Sequence, residues 1–303
     1  MAAGKADRSA RPPKLSLSQA CSLRCLFASE FAATSSDMWM SATRHAVRRP
    51  AEPLRPYIRE MLWVRSEEDR VQTLLPESGM TLALRVAGAV TRGTERLPGM
   101  VISGVQDHAR SLAHARGAET VIVRFTEAGA AAFLRENAGQ FSNQTIDLLD
   151  VLPKETRSHF KDLPESHMAP EGYFDTIERH LADHLRVAGE ISRPIAAAAA
   201  MIRRHGGKLR SEHLARAVGM SERALERAFL REVGVRPKML SRLARLEHVC
   251  ELWDRGHSLT DVAQHAGYTD QPHMVRDFRD LTGTSPRRIF SSGQPRNLPV
   301  FYK

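Results

Sequence analysis

The chain has 303 residues, 42% of them hydrophobic, a formal net charge of +9 and three cysteines. That length holds one large domain or two of ordinary size, and no run of about 18 apolar residues is present to span a membrane. Three sparse cysteines exclude a disulfide framework and suit a reducing compartment. Charge becomes informative once it is located. Residues 191–303 carry 20 Lys and Arg against 11 Asp and Glu, leaving 24 of each in the rest of the chain. The whole excess lies in the last third, which points to a polyanion partner for that part alone, against the plainer reading of a solvated basic surface.

Residues 1–44 are rich in Ser, Ala and basic residues, with Pro12-Pro13 and no sustained periodicity. They are expected to form a disordered tail. Their composition superficially fits an organelle transit peptide. A flexible tail or an over-long start is preferred, because Met38 and Met40 directly precede the ordered-looking sequence. Cys21 and Cys25 lie here without a second ligand pair, so no metal site is expected.

Residues 45–165 read as a β-rich sensory or oligomerisation domain. PAEPLRPYIREMLWVRS places Leu54, Tyr57, Ile58 and Met61 either on a helical face or along an extended edge. TLLPESGMTLALRVAG, GMVISGV and ETVIVRFT are short β-prone runs between Gly and Pro, alternating at Leu82, Leu84, Val86 and at Val121, Val123, Phe125. AGAAAFLREN reads as a short helix. Residues 166–192 read as a helical linker with a stripe at Phe174, Ile177, Leu181 and Leu185. His180 and His184 stand four apart, but without a third ligand they are assigned to a solvated helix face rather than to a metal.

Residues 193–291 read as two helix–turn–helix units, followed by a tail at 292–303. In the first unit Ser211 caps a helix with Leu214 and Val218 inward, and Gly219 takes the turn. Ser221 then caps a second helix with Leu225, Ala228 and Phe229 inward. Arginine on the outer face of that second helix completes the pattern. In the second unit Val262, Ala263 and Ala266 face inward, Gly267 turns, and Met274, Phe278 and Leu281 form the next inner face. The two units agree in spacing rather than in side chains. Between them RPKMLSRLARLEHVCELWDRG reads as one helix of about 17 residues, about 25 Å. Cys250 within it is expected to be a small buried hydrophobe.

The frame resembles the C-terminal DNA-binding domain of the AraC/XylS family of bacterial transcription regulators. The most specific stretch is G-Y-x-D-x-x-x-M-x-R-x-F-x-x-x-x-G-x-S-P, from Gly267 to Pro286, supported by Val235-Arg236-Pro237, Arg245-Leu246 and Leu252. Met274 stands where Phe is usual, Val249 where Ala is usual, and Ile289-Phe290 where a Tyr-Arg pair often ends the motif. The first two change packing, and the last removes one phosphate contact. PLRPYIREMLWVR and VIVRFTEAGAAAFL resemble, more weakly, the sensory half of one branch of the family.

The resemblance implies an α+β architecture, with a strand-rich sensory domain ahead of an all-α domain whose two recognition helices enter successive major grooves. The base-reading positions it implies are Arg223, Glu226 and Arg227 in the first unit and Pro272, Val275 and Arg276 in the second. Arginine bonds guanine in bidentate fashion and Glu accepts from cytosine N4, whereas Pro and Val offer only apolar contact. An intrahelical pair with Arg223 or Arg227 is the competing role for Glu226. Ser221, Arg231, Gln271, His273, Arg279, Arg287 and Arg288 are flanking or phosphate candidates. The implied partner is double-stranded DNA. RNA polymerase, an unknown small-molecule effector and a homodimer are partners the reading allows, and a cytoplasmic, nucleoid-associated location goes with it. No cofactor, metal or membrane is expected. An enzyme in the neutral half is the alternative. It lacks a Ser/His/Asp frame, a phosphate-binding glycine loop and a G-x-S-x-G elbow. His108 and His114 are read as unpartnered, and residues 45–190 hold no cysteine for methyl transfer.

Overall fold

The computed structural model describes residues 43–152, 154–157, 168–185 and 188–291. The expected tails at 1–44 and 292–303, with Cys21 and Cys25, lie outside those residues, except that Thr43 and Arg44 open the first strand.

Among the described residues ten strands form two antiparallel sheets. They are β1 (Thr43–Arg48), β2 (Ile58–Ser66), β3 (Arg70–Leu74), β4 (Thr81–Ala87), β5 (Val90–Arg92), β6 (Glu95–Arg96), β7 (Met100–Ser103), β8 (Arg110–His114), β9 (Glu119–Phe125) and β10 (Thr145–Asp147). The larger sheet runs β1-β2-β9-β4-β7-β10 and the smaller β3-β8-β5-β6. β2 sits between β1 and β9. This corrects both readings of PAEPLRPYIREMLWVRS: after a 3₁₀ turn at Glu52–Leu54 the segment is an inner strand, neither a helix nor an edge.

Register explains the core. Met61 pairs with Val123, Val123 with Leu82, and Leu82 with Ile102, so one row across the larger sheet is wholly apolar and buried. Each such side chain contributes about 1.5–3 kcal/mol. The next row, Glu60, Arg124, Thr81, Ser103 and Thr145, points to the other face because side chains alternate along a strand. The apolar face packs on α1 (Gly129–Leu134), whose six residues are all buried, and on α4 (Pro170–Leu185). Two short helices, α2 (Leu148–Val151) and α3 (Lys154–Arg157), lie between them in the chain. His184 is not on a solvated face, as its position suggested. It is buried, its Nε2 donates to the Phe133 carbonyl at 2.8 Å, and its ring lies 4.2 Å from that of Phe133.

The second half is helical: α5 (Arg193–Arg204), α6 (Ser211–Ala217), α7 (Glu222–Glu232), α8 (Pro237–Asp254), α9 (Leu259–His265), α10 (Gln271–Thr282) and α11 (Pro286–Ser291). Its buried residues are continuous with those of the larger sheet in one core. Polar ties reinforce the junction. Glu127 accepts from Arg59 at 2.6 Å and from Arg203 at 3.1 Å, and the Gly189 N–H donates to Ala132 O at 2.9 Å. Cys250 is fully buried in α8, as a small hydrophobe would be.

Candidate nucleic-acid interface

Each helix–turn–helix unit is closed by a glycine in the left-handed region, Gly219 at φ 68° and Gly267 at φ 79°, where a Cβ would be strained. Ser221 Oγ accepts from the Ala224 N–H at 3.3 Å, and Asp270 Oδ1 accepts from the His273 N–H at 2.7 Å. One of the four donors left over at each helix start is thereby satisfied, and the start of α7 and of α10 is fixed. Pro272 occupies the first turn of α10, where its missing N–H costs nothing. In the first helix of unit one the cap differs from expectation. Arg210 is the cap position, Ser211 is already helical, and no side chain closes it. Val218 there is half-buried, while Ala215 takes the second inward position.

The inner faces are as the spacing demands: Leu225, Ala228 and Phe229 in α7, and Met274, Phe278 and Leu281 in α10, are buried. Opposite them Arg223 and Arg227 are exposed near the start of α7, and Glu226 between them is half-buried. Among the described residues Glu226 makes no ion pair, so the intrahelical alternative is not realised. Arg231 is exposed and bonded to Glu232 at 2.6 Å. On α10, Pro272 and Arg276 are exposed, whereas Val275 is half-buried and packs on the core. Gln271 accepts from Thr260 at 3.1 Å, and His273 stands edge-on to Tyr268 at 5.4 Å. Arg279, Arg287 and Arg288 are exposed.

α8 joins the units over 18 residues, about 27 Å. α10 is pinned to it by Asp277, which accepts from Arg242 at 2.7 Å and from the Tyr268 hydroxyl at 2.9 Å. Burial, with Asp277 beside it, pushes the Tyr268 hydroxyl above its ordinary value, so it remains a donor. Phe290 stacks on Trp253 at 4.5 Å, a packing role in place of the polar pair that usually ends the motif.

Sequence reasoning missed a second candidate site. The other face of the larger sheet, where polar and apolar rows alternate, is covered by the smaller sheet, and a cavity of about 100 Å³ lies between them. Arg85, Arg110, Arg124, His114 and Glu77 line it. His108, taken as unpartnered, bonds Asp107 at 3.0 Å. Among the described residues no cluster of His, Cys, Asp and Glu is suited to a metal, and no helix is long and apolar enough to cross a membrane.

Two helix–turn–helix units on one connecting helix, each with exposed arginine opposite its buried face, define a DNA-binding regulator. Residues 214–292 match a helix-turn-helix domain model, and residues 46–147 match a domain of unknown function, DUF6597. The chain carries an AraC-type helix–turn–helix domain behind a strand-rich half. No curated relative matches the sequence. Among solved structures, ToxT from Vibrio cholerae is similar at 8% identity, over 82% of this chain and 98% of its own, with a TM-score of 0.43. A probable AraC family transcriptional regulator from Rhodopseudomonas palustris is similar at 25% identity, over 34% of this chain and 100% of its own, with a TM-score of 0.31.

Proposed function

We propose that this regulator reads a specific operator by placing α7 and α10 in successive major grooves, under control of its strand-rich half. The observation that carries the reading is the solvent-facing pair Arg223 and Arg227, one turn apart at the start of a capped helix. Guanine offers two acceptors to each guanidinium, and one such pair discriminates by about 1–3 kcal/mol. Glu226, unpaired among the described residues, selects for cytosine N4 and penalises sites without a donor there. α10 reads less. Pro272 and half-buried Val275 offer apolar surface, so Arg276 is its one charged reader, and Gln271 and His273 are engaged within the protein. Arg279, Arg287 and Arg288, with Arg231 and the capped start at Ser221, hold phosphates.

The strand-rich half, about residues 45–165, serves as the effector-binding or homodimerising part. Action on RNA polymerase and a cytoplasmic, nucleoid-associated location follow from transcription control. The test is anisotropy of labelled operator and random duplex, the operator being found by genome-wide mapping of bound DNA. Arg223→Ala and Arg227→Ala weaken operator binding far more than random binding. Equal losses on both duplexes would remove the base-reading roles.

A further inference from the structure

The inner face of a two-sheet sandwich is ordinarily apolar. Here the two faces of the larger sheet are divided otherwise. One apolar face meets the helices, and the face turned to the smaller sheet carries Arg85, Thr120 and Arg124 beside an apolar row of Ile122, Ala83 and Val101. Val90, Leu97 and Ala118, with Leu112 against them, form a small apolar cluster of their own at that space. The cavity is several times the space one water needs.

The arginines at this cavity are not equivalent. Arg85 donates to the carbonyls of Leu97 and Pro98, at 2.7 and 3.1 Å, and so holds the turn before β7. Arg124 is paired with Glu60 at 3.2 Å and Glu77 at 2.7 Å. Arg92 is bound to Glu95 at 2.8 Å. Arg110 differs: its Nη1 is enclosed and has no hydrogen-bond partner among the described residues, and it forms no ion pair there. Burial pulls the Arg110 pKa below its ordinary value, Glu77 opposes that shift and Arg92 adds to it. An enclosed guanidinium nitrogen without a partner is a standing cost in the folded state. It is offset when an oxyanion enters, because a carboxylate or phosphate accepts two parallel N–H bonds from one guanidinium.

We propose that the space between the sheets binds a small organic anion, its carboxylate or phosphate taken by Arg110 beside Arg124 and its apolar body lying along Leu74, Leu112 and Ile122. Register supports that placement. Arg110 pairs with Leu74 across β8–β3, and Arg124 pairs with Thr81 across β9–β4, while Leu112 and Ile122 stand two residues along the same strands from Arg110 and Arg124. Glu77 lines the same cavity and is the competitor that the anion displaces from Arg124. The inference rests on reading the strand-rich half as effector-binding and supplies its ligand class.

The experiment uses the full chain without DNA, in thermal-shift and calorimetric titrations with millimolar phenylacetate, phenyl phosphate and neutral phenylacetamide. One or both anions bind and raise the melting temperature, and the amide does not; whichever anion binds tighter identifies the head group. Arg110→Met, which keeps most of the side-chain bulk, weakens the anion at least about tenfold. Glu77→Gln, which keeps the shape and removes the competing charge, strengthens it. Equal binding of amide and acid, an unaltered affinity in Arg110→Met, or no binding of either anion overturns the proposal. If Arg110→Met does not fold, Glu77→Gln decides alone, and an unchanged or weaker affinity there overturns it. DNA binding is measured separately by anisotropy, so loss of the operator reading and loss of the anion site are distinct results.

Discussion

The backbone N–H of Ser78, at a bend of the strand-rich half, donates to the carboxylate of Glu247, on the helix between the two DNA-reading units, at 2.9 Å. The preceding residue, Glu77, faces the cavity, bonds Arg124 and bridges Gln106. The loop beyond Gln106 ends with the Ala109 N–H donating to Leu281 O, in the last turn of α10, at 3.0 Å. One dipeptide therefore touches the cavity on one side and α8 on the other, while its bridge partner leads to the second recognition helix. The cavity wall, α8 and α10 are thereby joined by an unbroken series of contacts.

Replacing Glu247 separates its two roles. Glu247→Ala leaves the Ser78 N–H without its acceptor and removes the carboxylate that acts on Arg59. An unsatisfied buried donor costs about 1–3 kcal/mol. Glu247→Gln keeps an amide oxygen for Ser78 and loses only the charge, so it costs less. Urea unfolding at neutral pH measures both variants. Equal losses would mean that the charge, not the hydrogen bond, joins the halves.

His114 makes stability depend on pH. Burial, with Arg70 and Arg85 beside it, lowers its pKa from 6.5 to about 4. As pH falls below 6.5 the unfolded chain takes up the proton and the folded chain does not. Stability is therefore complete above 6.5 and is lost progressively toward 4. Glu60 and Glu247 shift upward through burial and act in the opposite sense, so the informative quantity is a difference. His114→Gln has a smaller drop in melting temperature than the parent between about pH 7.5 and about pH 5. An equal drop in both would show that His114 is not the group responsible.

Much of this architecture is legible in the sequence, and the helical half most of all. Leu225, Ala228 and Phe229, or Met274, Phe278 and Leu281, can share a face only on a helix, and Gly219 and Gly267 mark turns by their freedom to take positive φ. Leu82, Leu84, Val121, Val123 and Phe125 likewise give their buried face by alternation. The same alternation hid the cavity. Thr81, Arg85, Thr120 and Arg124 look like the wet side of a single sheet, and only long-range pairing shows a second sheet covering them. His184 was misplaced for a related reason, since its polarity is satisfied by the carbonyl of Phe133, 51 residues away. β2 was ambiguous because both of its faces are covered, so its apolar residues Ile58, Met61, Leu62, Trp63 and Val64 do not alternate.

The caps of the two recognition helices test how much of α7 and α10 depends on them. Ser221→Ala and Asp270→Ala each remove the side-chain acceptor for an N–H in the first turn. Each costs about 1 kcal/mol. Asp270→Asn retains the acceptor and costs a fraction of that. Thermal unfolding gives the ranking, and an Asn variant as unstable as the Ala variant would assign the effect of Asp270 to its charge at the helix start.

Salt dependence separates arginines proposed to hold phosphates from those proposed to read bases. Each phosphate neutralised by a side chain contributes about 0.9 to the slope of log affinity against log salt on duplex DNA. Arg279→Ala, Arg287→Ala and Arg288→Ala therefore each reduce the slope by about 0.9 and weaken operator and random duplex alike. Arg223→Ala and Arg227→Ala, whose proposed contacts are to base edges, change discrimination between duplexes by about 1–3 kcal/mol and alter the slope less. Arg231 is an internal control, because its guanidinium already bonds Glu232 at 2.6 Å and must break that pair to reach a phosphate. Its removal changes the slope least of the four flanking arginines. Anisotropy titrations of both duplexes across a range of salt read all of these quantities together. A change in discrimination on removing Arg287 would move that residue from the backbone to the bases.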